Sequence, residues 1–306
     1  MHGLCTLWQR ACINQNKKKT TDFLYPWKHK NYSASKEQSL FNFGRLKGIA
    51  LFLFITFLAP LPADSFTGSE IIQKTFQANF VENFLAEIKL DTEKASGETS
   101  TMRLVLLGKG NPRNALSLLV VFKNPPSAKG MKLLVKSKRN EPTQVYVYMP
   151  AMGKYFLLTG EDRNMRLGDS ELNLNDLVSA IPWDGTHQLL REDTFSGYSC
   201  YVIESHLFGK PKKLLTWIDK NTFLPVNTQY YDSSNVAVKT LTATKFIKAF
   251  GKYRIAALRM TNHQSMNTTT MTVLSGKWHL DIPATPFDPE NLSLPISDLM
   301  NFDRKK

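Results

Sequence analysis

From residue 102 onward, apolar and polar side chains alternate with a period of two, and this alternation dominates the chain. Met102, Leu104 and Leu106 alternate with Arg103, Val105 and Leu107, and Leu116, Leu118, Val120 and Phe122 follow at even positions. Met131, Leu133 and Val135 alternate with Lys132, Leu134 and Lys136, and Val145, Val147 and Met149 alternate with Tyr146 and Tyr148. Period two is the strand repeat, because successive side chains point to opposite faces of a sheet. Turn-formers separate the segments, among them Gly108-Lys109-Gly110-Asn111-Pro112 and Asn124-Pro125-Pro126. The pattern predicts an antiparallel meander with one wet and one dry face.

The second half continues it. Tyr201–His206, Leu214–Ile218, Leu224–Tyr231, Val236–Phe250, Tyr253–Thr261 and Thr268–Val273 all read as strands. Asp219-Lys220-Asn221, Asp232-Ser233-Ser234-Asn235 and Gly251-Lys252 supply hairpin turns. Helical spacing occurs twice. Ile72, Phe76 and Phe80 follow Ser69, a candidate N-cap, and Asn173–Ala180 reads as a short helix starting near Asn173 or Asn175. After about Asp281 come Pro283, Pro286, Pro289 and Pro295, which predict an extended strap or a frayed tail. With no internal repeat and no dividing linker, residues 64–306 are expected to form one domain.

Residues 45–63 have the three-part pattern of a secretory signal. Arg45 and Lys47 precede the uncharged run Ile49–Ala59, Pro60 and Pro62 break it, and Ala63 offers a cleavage residue. The run is shorter than the roughly 20 residues of a relaxed transmembrane helix. No cysteine follows for lipid attachment, so a soluble exported protein beginning near Asp64 is expected. Residues 1–44 form a polar extension, longer than a signal normally carries, and translation is expected to start near Asn42–Leu46 on a non-AUG codon. The rival reading is an uncleaved anchor with a short cytoplasmic tail.

The net charge of +13 is concentrated in this leader, whose first 63 residues hold nine Lys+Arg against two Asp+Glu. The remaining basic residues are scattered along the strands, which argues against a nucleic-acid groove and allows a weak attraction to anionic lipid headgroups. Once Cys5 and Cys12 are removed, Cys200 stands alone and no internal disulfide is expected.

Sites for chemistry do not emerge. His187, His206, His263 and His279 lie far apart without metal-ligand spacing, so neither a metal nor another cofactor is expected. Gly168-Asp169-Ser170-Glu171 and Gly197-Tyr198-Ser199-Cys200 begin like nucleophile elbows, but Leu172 and Tyr201 occupy the place of the second glycine. Cys200 alternates with Val202 on one face of a strand, as a core cysteine does. Glu161-Asp162 and Asp169/Glu171 read as loop charges, and no Gly-rich phosphate loop is present.

One ordered series points to a family. Tyr148-Met149-Pro150 closes a strand, Asp169 through Leu177 follows, and then come Gly197 through Glu204, Leu214 through Lys220, Leu224-Pro225 and Tyr230-Tyr231-Asp232. Over about residues 68–290 this resembles the LolA-like outer-membrane lipoprotein-sorting proteins, particularly their uncharacterised bacterial branch. Asp169, Glu171 and Leu172 stand where that family usually has Gly, Asp and Phe. The resemblance implies an α+β, mainly antiparallel β fold: an incomplete, half-open barrel wrapped around lid helices. It also implies a periplasmic, non-enzymatic carrier of lipid or lipoprotein acyl chains, with an inner-membrane exporter of the resistance-nodulation-division type as partner. The alternative is a lipid sensor or accessory module of such an exporter that transfers nothing. The expected cavity lining is one strand parity: Met102, Leu104, Leu118, Val120, Phe122, Leu133, Val147 and Trp217.

Overall fold

The computed structural model describes residues 66–79, 83–111, 113–159, 162, 165–174, 176, 181–207, 213–249 and 251–300. All belong to one compact unit, Pro60–Lys306. The extension, the signal segment and its cleavage residue lie outside the described residues.

The chain enters through helix α1 (Gly68–Asn79). Its N-cap is Thr67 rather than Ser69. The Glu70 amide donates to Thr67 Oγ1 at 3.2 Å and the Thr67 amide donates to Glu70 Oε2 at 2.7 Å, a reciprocal capping box. Glu70 at this end is held below the usual carboxylate range by its bonds from the Thr67 amide and hydroxyl. The helix buries Ile71 and Phe76. Gly68 is required by close approach, since a Cβ there would sit 2.6 Å from the backbone of Gln188 and Leu189.

Thirteen strands follow among the described residues: β1 (Phe84–Glu93), β2 (Thr99–Asn111), β3 (Ala115–Asn124), β4 (Lys132–Lys138), β5 (Gln144–Met149), β6 (Lys154–Leu157), β7 (Gly185–Phe195), β8 (Tyr198–Leu207), β9 (Lys213–Asp219), β10 (Pro225–Tyr231), β11 (Ala237–Ala249), β12 (Lys252–Asn262) and β13 (Thr268–Lys277). Every pairing is antiparallel, in the order β6-β5-β4-β3-β2-β1-β13-β12-β11-β10-β9-β8-β7. The first and last strands close the two meanders onto each other through β1 and β13, while β6 and β7 end the ladder without pairing together. The sheet is therefore open. Its inner face nevertheless gathers one core, in which β1–β5 meet Leu207 of β8, Leu214 of β9, Tyr230 of β10, Val238 of β11 and Met260 of β12.

The alternation located β2–β5 and β8–β13. Strand β1 carries the same signal, with Ala86, Ile88 and Leu90 buried between Glu87, Lys89 and Asp91, although it was not among the expected strands. Strand β7 is a mostly exposed edge, so it has little apolar periodicity to show.

The expectation of one wet face fails over β2–β5. Leu119, Val120, Val121 and Phe122 are consecutive and all buried. The cause is the C-terminal segment, which is neither extended nor frayed over its described length. It forms 3-10 turns at Thr285–Phe287 and Pro289–Ser293 and a short helix α2 (Ile296–Leu299). Phe287, Leu292 and Leu299 press on Leu107, Leu119, Val121 and Leu134 of the outer face. Lys132 fastens this cover, donating to the carbonyls of Leu292 at 2.7 Å and Leu294 at 2.8 Å, with burial pushing its ammonium down from the ordinary lysine value.

Candidate functional site

The inner face of the sheet is a continuous apolar surface. Register explains why: Leu104 pairs with Phe122, Leu106 with Val120, Val120 with Leu133, and Leu133 with Val147, and directly opposed residues share a face. Seven of the eight expected lining residues, namely Met102, Leu104, Leu118, Val120, Phe122, Leu133 and Val147, belong to this one cluster.

Trp217 does not. It packs with Cys200, Val202 and Val226 in a separate cluster, its indole donating to Asp193 at 3.0 Å and its ring 6.0 Å from Phe195. The neighbours Leu214 and Ile218 are on the opposite parity, facing the inner core and helix α1. A parity count along β9 alone cannot reveal which parity faces the large cluster. Cys200 in this cluster is fully buried, and burial pushes its thiol up, away from the thiolate a nucleophile needs. Among the described residues, no group of three His, Cys, Asp or Glu side chains could hold a metal.

Six of the seven expected lining residues in the inner-face cluster are buried, and Leu118 is half-buried. Among the described residues between Leu158 and Asp184, Leu158, Leu167, Leu172, Leu174 and Ile181 are buried against the same cluster and cover it. Trp183, near the end of this stretch, meets Phe76 of helix α1 at 5.6 Å and donates to Ser137 at 2.8 Å. The expected helix at Asn173–Ala180 falls largely outside the described residues. At its start, the Asp176 amide donates to Asn173 Oδ1 at 2.9 Å, and the Asn173 amide donates to Asp176 at 2.7 Å.

Polar groups hold this cover in place. Glu171 is only 1% exposed, yet it remains an anion. Burial raises its pKa, but amide bonds from Asn262 at 2.7 Å and Asn267 at 2.8 Å, with the charges of Arg166 and Lys239, outweigh burial and hold it below the ordinary glutamate value. The Glu171 amide donates to Thr269 at 2.8 Å, and Lys239 donates to the Glu171 carbonyl at 2.8 Å. The segment is thereby latched to the β12–β13 turn. At its other end His187 bonds the Pro182 carbonyl at 3.0 Å and Ser205 at 2.8 Å. Since a carbonyl only accepts, Nε2 carries the proton and Nδ1 accepts from Ser205. Burial lowers this imidazole's pKa from 6.5.

Coverage of the inner face is incomplete. A cleft of about 350 Å³, counting the open solvent at its mouth, lies between Leu90, Met102 and Pro125 and the Asp169-Ser170 turn. Farther along the inner face, Phe84, Leu106, Leu241, Met271 and Val273 pack on the buried cluster while remaining half-exposed. These five were not among the expected lining. Their parity was readable, but incomplete coverage is a property of neighbours distant in the chain.

Comparison with known proteins places the fold. A family model described as an uncharacterised protein matches residues 116–293, more than half of the chain. No curated protein matches the sequence. Among solved structures, an outer-membrane lipoprotein-sorting protein domain from Vibrio parahaemolyticus superposes with a TM-score of 0.68 at 22% identity, covering 74% of this chain and 98% of that one. A DUF1329-family protein from Desulfovibrio piger gives 0.68 at 20% identity, covering 74% and 97%. A LolA-superfamily protein from Nitrosomonas europaea gives 0.62 at 22% identity, covering 74% and 99%. The chain is similar to all three in fold: a LolA-like open barrel with a lid helix.

Proposed function

We propose that this chain, which belongs to the uncharacterised-protein family matched over residues 116–293, is a periplasmic carrier that takes acyl chains of lipids or lipoproteins on the inner face of its sheet. The observation that carries this reading is the nature of the cover. A continuous apolar face is closed by a separate segment of chain, held by polar contacts that a competitor for the apolar surface can release. The likeness to a structure named for lipoprotein sorting supports the same class of cargo.

The energetics suit exchange. Each buried methylene contributes about 0.8 kcal/mol, so a long acyl chain gains on the order of 10 kcal/mol. Displacing Leu158, Leu167, Leu172, Leu174 and Ile181 costs about 1.5–3 kcal/mol for each side chain left exposed, a sum of the same order. Cargo and cover are therefore nearly balanced competitors, which lets the lipid be taken up and given away. Entry begins at the half-exposed stretch around Leu106 and Met271, where no cover has to move first. No helix among the described residues is long and apolar enough to cross a membrane, and the exporter of the resistance-nodulation-division type remains the proposed membrane partner.

Native mass spectrometry of protein isolated from the periplasm tests cargo binding. Bound mass of a phospholipid or acylated peptide is expected, and protein that stays empty after mixing with lipid defeats the proposal. Delivery of labelled lipid to acceptor vesicles separates the carrier from the sensor alternative, which would retain it.

A further inference from the structure

The β11–β12 hairpin runs past its neighbours. Strand β10 stops pairing with β11 at Thr242, and β13 stops pairing with β12 at Ala257. Beyond these points the rungs Phe246–Ile255, Ile247–Arg254, Lys248–Tyr253 and Ala249–Lys252 pair only with each other. A two-stranded ribbon with both outer edges unpaired has little of its own to hold it, and this one ends in a tight turn at Gly251, φ +74°. Its attachment is at the base, where Arg254 donates to the Ala78 carbonyl of helix α1 and Phe246 lies 5.9 Å from Tyr198.

The tip combines two properties. Lys245, Lys248 and Lys252 are exposed, and the chain has no carboxylate from Ser233 to Leu280, so β11, β12 and β13 carry none. At the same end, Glu192 and Asp193 are already engaged by Lys220 and by Arg191 and Trp217. Among the lysines stand large apolar groups left in solvent, Tyr253 opposite Lys248 on one face of the ribbon at 53% exposure and Ile247 on the other face at 38%. Lysines carry their charge to lipid phosphates on long stems, while tyrosine and isoleucine suit the boundary between headgroups and acyl chains.

We infer that the β11–β12 hairpin tip is a docking surface for an anionic phospholipid bilayer. The lysines supply attraction to the headgroups, and Ile247 and Tyr253, on the two faces of the tip, enter the interface. A projecting ribbon offers a protein partner little area to bury, whereas a bilayer needs only a tip. Docking requires neither an open inner face nor bound cargo, so it stands or falls separately from acyl-chain binding.

Flotation of the whole protein with phosphatidylglycerol-containing vesicles tests the inference. Binding is expected that phosphatidylcholine vesicles do not support and that high salt reverses. Each lysine near the surface is worth about a fivefold change in partition, so Lys245→Gln/Lys248→Gln/Lys252→Gln is expected to weaken binding on the order of 100-fold. Ile247→Ser/Tyr253→Ser leaves the salt dependence in place and weakens binding about tenfold. Lys123→Gln/Lys129→Gln/Lys154→Gln removes equal charge from exposed positions elsewhere and is expected to bind as the parent does. Equal loss in that control, equal binding to both vesicle types, or capture by a soluble polyanion without vesicle binding would overturn it. Circular dichroism melting keeps a folding defect from being read as lost docking.

Discussion

Strands β2–β5 and strands β11–β13 belong to one ladder and share an inner face, yet they are treated oppositely by the rest of the chain. In the first group most inner residues are covered by Leu158, Leu167, Leu172, Leu174 and Ile181 and the outer face by the C-terminal turns, with Leu106 and Leu118 left half-exposed. The second has half-exposed Leu241, Met271 and Val273 inside, and a hairpin reaching into solvent at its end. A surface covered twice is a frame; a surface covered incompletely is where something else can bind.

This contrast can be broken by truncation. Phe122→Ala, in the more fully covered group, is expected to cost about 3–5 kcal/mol in urea unfolding, while Leu241→Ala costs about 1 kcal/mol. Equal costs would remove the distinction. Conversely, Leu106→Arg is expected to lower affinity for a fluorescent fatty acid by more than about tenfold at little cost in melting temperature, since its side chain is half-exposed.

The Glu171 latch separates the cover from the strands beneath it. Glu171→Ala leaves Asn262, Asn267 and Arg166 without their acceptor and is expected to cost about 1–3 kcal/mol, with increased hydrogen exchange over the cover rather than over β2–β5. Because the folded-state pKa of Glu171 is depressed, its contribution is present above the unfolded value of 4.5 and is lost as pH falls through the lower folded value. Gly168, at φ +59° with Met102 Cε 2.2 Å from its missing Cβ, tolerates no larger residue easily, and Gly168→Ala is expected to cost about 1 kcal/mol. The smallest effect is that of His187. Its folded pKa also lies below the unfolded 6.5, so the unfolded chain takes up the proton first, and stability falls as pH drops from 6.5 toward the folded value. His187→Gln is expected to remove that component from a pH series of melting temperatures.

Much of this molecule was legible because strand periodicity is a local property. A residue on β3 such as Val120 announces its parity through Leu118 and Phe122, and hairpin turns keep the order of the strands. The helix start was missed by two positions because both Thr67 and Ser69 can cap, and only the placement of Glu70 three residues after Thr67 decides between them. The common face of β2–β5 was legible because four strands agree with one another, whereas Trp217, read from one strand alone, packs in a separate cluster.

By itself, then, the chain's alternation determined an antiparallel meander and, within each strand, which residues share a face. Tertiary structure alone decided which face turned inward at β9, that the proline-rich end seals the outer face, and that the cover is latched through Glu171 to a turn some ninety residues away. The reason is physical: side-chain direction along a strand follows from bonded geometry, but coverage depends on which remote segment arrives to exclude water, and no local pattern encodes that arrival.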